Sequence, residues 1–174
     1  GIRALEVASR ALQRRKLDAA LVGAVDLSCD PVHEAAAREV GITTPPADGA
    51  VVLVLKRQED ALRDGDRVLA VLGGEPGASC DADAVARRWG HPHAAGALFE
   101  VAAATLACAR GRHMGGEIWS GERAMSLDLQ AIGGQQSRVV IRSMGGDRVS
   151  PQAADPSSGR SLMFSAHHPT VDIP

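Results

Sequence analysis

The chain has 174 residues, the length of one ordinary domain, and it is 45% hydrophobic with only 2% aromatic residues, so its interior must be built from Ala, Val, Leu and Ile. A net charge of −2 offers no basic excess to displace counterions from a phosphate backbone, and Trp89, Trp119, Phe99 and Phe164 are too few for a base-stacking platform, which argues against nucleic-acid binding. No apolar run reaches the roughly 18 residues of a membrane span, and the opening GIRALEVASRALQRRK is amphipathic rather than signal-like, so a soluble cytoplasmic protein with no membrane partner is expected.

In chain order, residues 3–16 place Leu5, Ala8, Ala11 and Leu12 at helical spacing, with Arg14, Arg15 and Lys16 expected in the last turn to complement the dipole. The run Ala19–Leu27 is continuously apolar, as for a strand covered on both faces. Residues 32–40 read as a short helix ended by Gly41, and 43–49 as a loop rich in Pro and Gly. A second buried strand is expected at 50–55, a short polar helix at 57–63, a third strand at 67–72, and a loop from 73 to 83. Residues 92–110 are apolar nearly all round and predict an interior helix, with Pro92 suited to its first turn and Gly111 to its C-terminal cap. After a Gly-rich passage, 138–143 is the last predicted strand, 150–161 has linker composition, and the tail AHHPTVDIP reads as extended.

Cys29, Cys80 and Cys108 are odd in number and widely spaced, so three reduced thiols are expected rather than a disulfide framework or a zinc knuckle. Cys29 follows the first strand and would be a nucleophile only if a base lowered its pKa; a buried structural thiol is the commoner fate. The constellation above background is Gly90-His91-Pro92-His93-Ala94-Ala95-Gly96 at the start of the interior helix. A histidine there feels the positive end of the dipole, which favours a neutral imidazole able to polarise a carbonyl. The small Ala94, Ala95 and Gly96 would let a substrate approach the backbone. The plainer alternative makes His91 an N-cap and His93 a surface residue. A metal site is not expected, because an HxH pair needs a third ligand that no spacing supplies. His167 and His168 fall in the linker region, and Gly73-Gly74 and Gly133-Gly134 lack the spacing of a phosphate loop and read as turns.

Three blocks carry a resemblance: ALEVASRALQRRKLDAALVGAVDLS, ADGAVVLVLKRQEDALRDGDRVLAVL and GHPHAAGALFEVAAATLACARG. The middle one is the most specific, with Asp48-Gly49-Ala50, then Lys56-Arg57, Glu59-Asp60-Ala61 and Arg63-Asp64-Gly65-Asp66. Together they resemble the β-ketoacyl synthases of polyketide and polyunsaturated fatty acid synthases over residues 1 to about 111, with a large internal deletion, and more faintly over 137–146. The resemblance implies a thiolase-like layered α/β/α fold, incomplete here, with a buried mixed sheet flanked by helices over 1–149 and an extended exit linker over 150–174. It implies acyl carrier protein, a ketosynthase partner or second copy of the chain, and the remainder of a multidomain synthase as partners, and it implies no cofactor.

The family's nucleophilic Cys would fall about three residues before Gly1, and no HGTGT-like motif lies between the 67–72 strand and Gly90. The family's Lys aligns with Ala86. Of the Cys-His-His apparatus the resemblance leaves His91 as the catalytic histidine that helps bind and decarboxylate a malonyl thioester, with Met144, Gly145 and Gly146 in place of the substrate-side Gly-rich loop. Decarboxylative condensation needs a thiolate and more than one donor, so the chain alone is expected to be inactive, either as part of a ketosynthase or as a chain-length-factor-like partner of one. A structural docking domain is the blander alternative.

Overall fold

The computed structural model describes residues 1–75, 78–79, 83–112, 124–130, 136–144 and 162–165. Helix α1 (Ile2–Gln13) turns Ile2, Leu5 and Leu12 inward. It stops before the basic cluster expected in its last turn, which therefore holds Arg10 alone. Arg15 lies in the left-handed region at φ 55°, and the N–H groups of Arg15 and Lys16 bond back to Leu12 (3.0 Å) and Ala11 (2.9 Å), which closes the helix.

Strand β1 (Ala19–Asp26) is followed by α2 (Pro31–Glu39), where Asp30 caps the N-terminus by accepting from the N–H groups of Val32 and His33. Strand β2 (Gly49–Arg57) pairs antiparallel with β1 along its length, from Ala19↔Lys56 to Asp26↔Gly49. Next come α3 (Gln58–Asp64), β3 (Val68–Leu72), β4 (Ala78–Ser79), α4 (Asp83–Trp89) and α5 (His93–Arg110). Strands β5 (Ala124–Gln130), β6 (Gln136–Arg142) and β7 (Leu162–Ser165) complete a seven-stranded sheet of order β1-β2-β7-β3-β6-β5-β4. Every pair in it is antiparallel except β4 with β5, so the fold is mixed α/β.

Helix α5 crosses the sheet against β1, β2, β3, β5 and β6, and α1 lies on β1, β2 and β7. Between them sits one aliphatic core in which Leu12, Val22, Leu55, Leu98, Val101, Leu127, Leu129 and Ile141 are fully buried. As the composition required, no described aromatic ring is part of that core.

Three expectations are corrected. Strand β1 is not covered on both faces: Val22 points into the core, but Leu21 and Val25 are 75% and 66% exposed, as is Val52 (64%) beside them on β2. A continuous apolar run fits a strand with a bare second face equally well, and only packing distinguishes the two. The strand at β6 is not the last, since β7 pairs with both β2 and β3. Strand β5 lies in what read as Gly-rich passage, and its alternation of buried Met125, Leu127 and Leu129 with Ser126 and Asp128 is a strand signature.

The block of charged residues that carries most of the resemblance is a structural clasp. Arg57 is buried, donates to Asp60, to Asp18 (2.8 Å) and to the carbonyls of Leu12 (3.2 Å) and Leu17, and so joins the end of α1 to β2 and α3. Arg63 bonds Asp60 and Asp64, and Lys56 bonds Asp64 and Asp66.

Candidate functional site

At the end where β1 stops and β2 starts, four chain segments converge on the beginning of α5. The loop before β2 runs alongside His91: its N–H donates to the Pro45 carbonyl (2.8 Å), and its carbonyl accepts from Ala47 (3.3 Å). This pairing depends on Gly90, whose φ is +83° and whose Cα lies so near the loop that a Cβ would come within 2.9 Å of Ala47 Cβ and of the Pro45 and Pro46 carbonyls. The N-cap of α5 is Pro92, which supplies no side-chain bond. Asp26 stands in for it, reaching from β1 to accept the Ala94 N–H at 2.6 Å.

The Asp26 carboxylate also accepts from the hydroxyl of Ser28, itself fully buried. Burial pushes this carboxyl up, but the Ser28 and Ala94 hydrogen bonds and the imidazoles of His93 and His33 outweigh it and hold the carboxyl below the usual Asp value. His93 is buried, at 8% exposure, and its ring lies 4.7 Å from that of His33 on α2 and 5.0 Å from that of His91. Burial lowers its pKa, His91 and His33 lower it further, and Asp26 offsets part of the shift. Nδ1 of His91 and Nε2 of His93 are buried without a hydrogen-bond partner among the described residues.

Neither half of the plainer alternative for the histidines is found: His91 is not the N-cap, and His93 is not on the surface. Of the path expected over Ala94-Ala95-Gly96, Ala94 is exposed and the other two positions are buried. Ala95 is fully buried, and a Cβ on Gly96 would lie 3.2 Å from His91 Cε1, so the space this glycine leaves is occupied by the His91 ring.

Met144 is elsewhere. It packs on Ala61 and Val71, with its sulfur 3.9 Å from Gln58 Nε2, beyond the far end of β2. The nine residues of β2 separate it from the histidines by about 25–30 Å. Gly145, Gly146, Cys80, His167, His168, Gly133 and Gly134 lie outside the described residues. Gly73 and Gly74 occupy a turn at φ 103° and 112°.

Cys108 is in the core, whereas Cys29 is exposed rather than buried. The Cys29 thiol is nonetheless raised: desolvation, with the carboxylates of Asp48 and Glu34, outweighs the lowering effect of a hydrogen bond with the Asp48 backbone, the opposite of what an activated nucleophile needs. Among the described residues no group of three or more His, Cys, Asp or Glu side chains is arranged to hold a metal ion, and no helix is long and apolar enough to cross a membrane. Asp26 and His33 did not stand out in the sequence; the one available signal was an acidic residue closing an otherwise apolar strand.

No protein-family model matches the chain. Similarity to curated proteins is partial and consistent in kind. The chain is 37% identical, over 42% of its length, to the phthioceranic/hydroxyphthioceranic acid synthase of Mycobacterium tuberculosis. It is 36% identical, over 41% of its length, to the mycocerosic acid synthase-like polyketide synthase of Mycolicibacterium smegmatis and to a phenolphthiocerol/phthiocerol polyketide synthase component of M. tuberculosis. The alignments cover 4% of each of these relatives. The chain is thus related to polyketide synthases over about two-fifths of its length, and its relatives are far longer proteins.

Proposed function

We propose that the chain is a ketosynthase-like part of a polyketide synthase multienzyme, built on a thiolase-like layered fold and related to the decarboxylative condensation of acyl and malonyl thioesters on acyl carrier protein. The observation that carries this reading is the setting of His91. Its backbone is clamped between Pro45 and Ala47, its ring is seated on Gly96, and its Nδ1 has no partner among the described residues. An imidazole fixed in this way at the start of a long helix suits the polarisation of a thioester carbonyl. The likeness to polyketide synthases and the motif at 90–96 support the same assignment.

The chain by itself neither self-acylates nor condenses. Neither described thiol opens α1, the Cys29 thiol is raised, and no HGTGT-like motif supplies a second histidine. Mass spectrometry after incubation with acyl- and malonyl-acyl carrier protein tests this. No covalent adduct is expected, and a stable thioester on Cys29, Cys80 or Cys108 would overturn it.

A non-catalytic partner role, like that of a chain-length factor, is favoured over a truncated enzyme by Ala86 standing at the family's Lys position. Co-purification with an active ketosynthase, together with a change in its product length when His91 and its surroundings are intact, is expected for that role. A monomer that binds neither a synthase nor acyl carrier protein would leave only a structural domain.

A further inference from the structure

Helix α2 sits against the His91–His93 site with little to hold it. None of its residues is buried, and it makes no broad packing contact with any other helix or strand among the described residues. Only His33 and Ala37, one turn apart, are half-buried; Val32 and Val40 are 79% and 74% exposed. The side chain that reaches from α2 to the start of α5 is His33, against His93. At one end α2 hangs from the Cys29–Asp48 hydrogen bond (2.8 Å), and at the other from Gly41, at φ +76° with open space around it. Apolar burial is normally what anchors a helix to a body, and here it is nearly missing.

We propose that α2 is a proton-released flap, closed over the His91–His93 site while the His93 ring beneath His33 is neutral and swung away when His93 takes up a proton. The physical basis is local charge. An imidazolium at His93 is buried, stands at the positive end of the α5 dipole and faces a second titratable ring 4.7 Å away. The groups facing it are Asp26 from β1, His33 from α2 and His91 before α5, while Arg87 and Arg88 at the end of α4 are exposed. Asp26 attracts the extra proton, but its carboxylate is already engaged with Ser28 and Ala94, and burial with the two imidazoles wins.

Closing therefore favours the deprotonated ring. The closed form has its full stability above the ordinary His value of 6.5 and loses it as pH falls below that value. One proton taken up on opening raises the open population about tenfold per pH unit. This device does not depend on the acyl chemistry proposed above and would operate for any ligand that reaches His91.

Hydrogen exchange read by mass spectrometry on the full chain at pH 7.5, 6.5 and 5.5, normalised for intrinsic exchange, tests the flap. Protection of amides 33–40 is expected to fall by up to about tenfold between pH 6.5 and 5.5 while β1 and β2 keep theirs. His93→Gln should flatten this profile, and His33→Gln, which removes the α2 ring facing His93, should make it shallower. Because His33 is only half-buried, its replacement leaves the core intact and decides the matter if His93→Gln does not fold. Normalised exchange of 33–40 that does not change with pH, a slope that survives His93→Gln, or one left undiminished by His33→Gln would overturn the proposal.

Discussion

Asp26 and Ala94 are 68 residues apart, and the carboxylate of the first caps α5 by accepting the N–H of the second at 2.6 Å. One bond thus ties the end of β1 to the start of α5 and fixes the turn that carries His91. Replacing Asp26 by Ala removes an N-cap acceptor and is expected to cost about 1–2 kcal/mol in urea denaturation at pH 7. Asn retains an acceptor oxygen and should cost about half as much. If both substitutions are neutral, α5 is capped some other way.

Gly90 is the position at which the candidate site is least tolerant of a side chain. An alanine there must adopt φ +83° and place its Cβ against two carbonyl oxygens and a methyl group. The backbone conformation alone costs about 1–2 kcal/mol and the close contacts add to it. Gly90→Ala should therefore destabilise the chain by roughly 2 kcal/mol or more and shift the His91 ring resonances in NMR spectra. Gly73→Ala makes an informative control, since its φ is also positive but nothing lies near its Cβ.

Helices α2, α3 and α5 close on Gly41, Gly65 and Gly111, all with positive φ, whereas α1 closes the same way on Arg15. Arg15 also pairs with Glu59, but both side chains are more than 60% exposed, and such a pair contributes little. Arg15→Gly should thus stabilise the protein by about 0.5–1 kcal/mol, the left-handed penalty less the added freedom of glycine in the unfolded chain. A drop in stability would mean that the Glu59 pair is stronger than its exposure suggests.

The bare outer face of β1 is tested by contrast between neighbours. Leu21 is 75% exposed and Val22 is 1% exposed, one residue apart on opposite faces. Leu21→Ser should change stability by less than about 0.5 kcal/mol, and Val22→Ala should cost about 1.5–3 kcal/mol. Equal losses at the two positions would mean that something covers the outer face in solution.

What could be read in the sequence was local. Gly41 and Gly111 marked helix ends because a left-handed residue is needed there, and 92–110 was recognisable as interior by its nearly unbroken apolar surface. Long-range pairing was not legible. Nothing near Leu162 indicates that four residues following a polar, Pro- and Gly-containing stretch would pair between β2 and β3. The histidines stood out as a motif, but Asp26 and His33 join them only because the ends of β1 and α2 are brought to the same corner as α5. The specificity of the 48–66 block was visible, yet its purpose was not: the charges clasp the fold together at the end of the sheet opposite His91.

That clasp predicts both a mutational and an acid response. Asp60 is buried between Arg57 and Arg63, so removing Arg57 leaves a buried carboxylate with half its partners and frees the carbonyls of Leu12 and Leu17. Arg57→Met should lower Tm by roughly 5–10 °C, whereas Arg138→Met, which breaks an exposed pair with Asp128, should change it by about 2 °C or less. The carboxyl of Asp64 is drawn down from 3.8 to about 2 by Arg63 and Lys56, and that of Asp60 is also lowered, Arg63 and Arg57 outweighing the effect of its burial. Carboxyls with depressed folded-state values stabilise the protein above their unfolded value and lose that contribution as pH falls through the folded one. The clasp should therefore weaken between pH 3.8 and about 2, whereas the contribution of the lowered His93 begins to be lost as pH falls below 6.5. Unfolding followed by circular dichroism from pH 7 to pH 2 should show stability falling between pH 3.8 and about 2, and Asp64→Asn should diminish that fall; a loss of stability already complete above pH 4, or one that Asp64→Asn leaves unchanged, would refute the assignment.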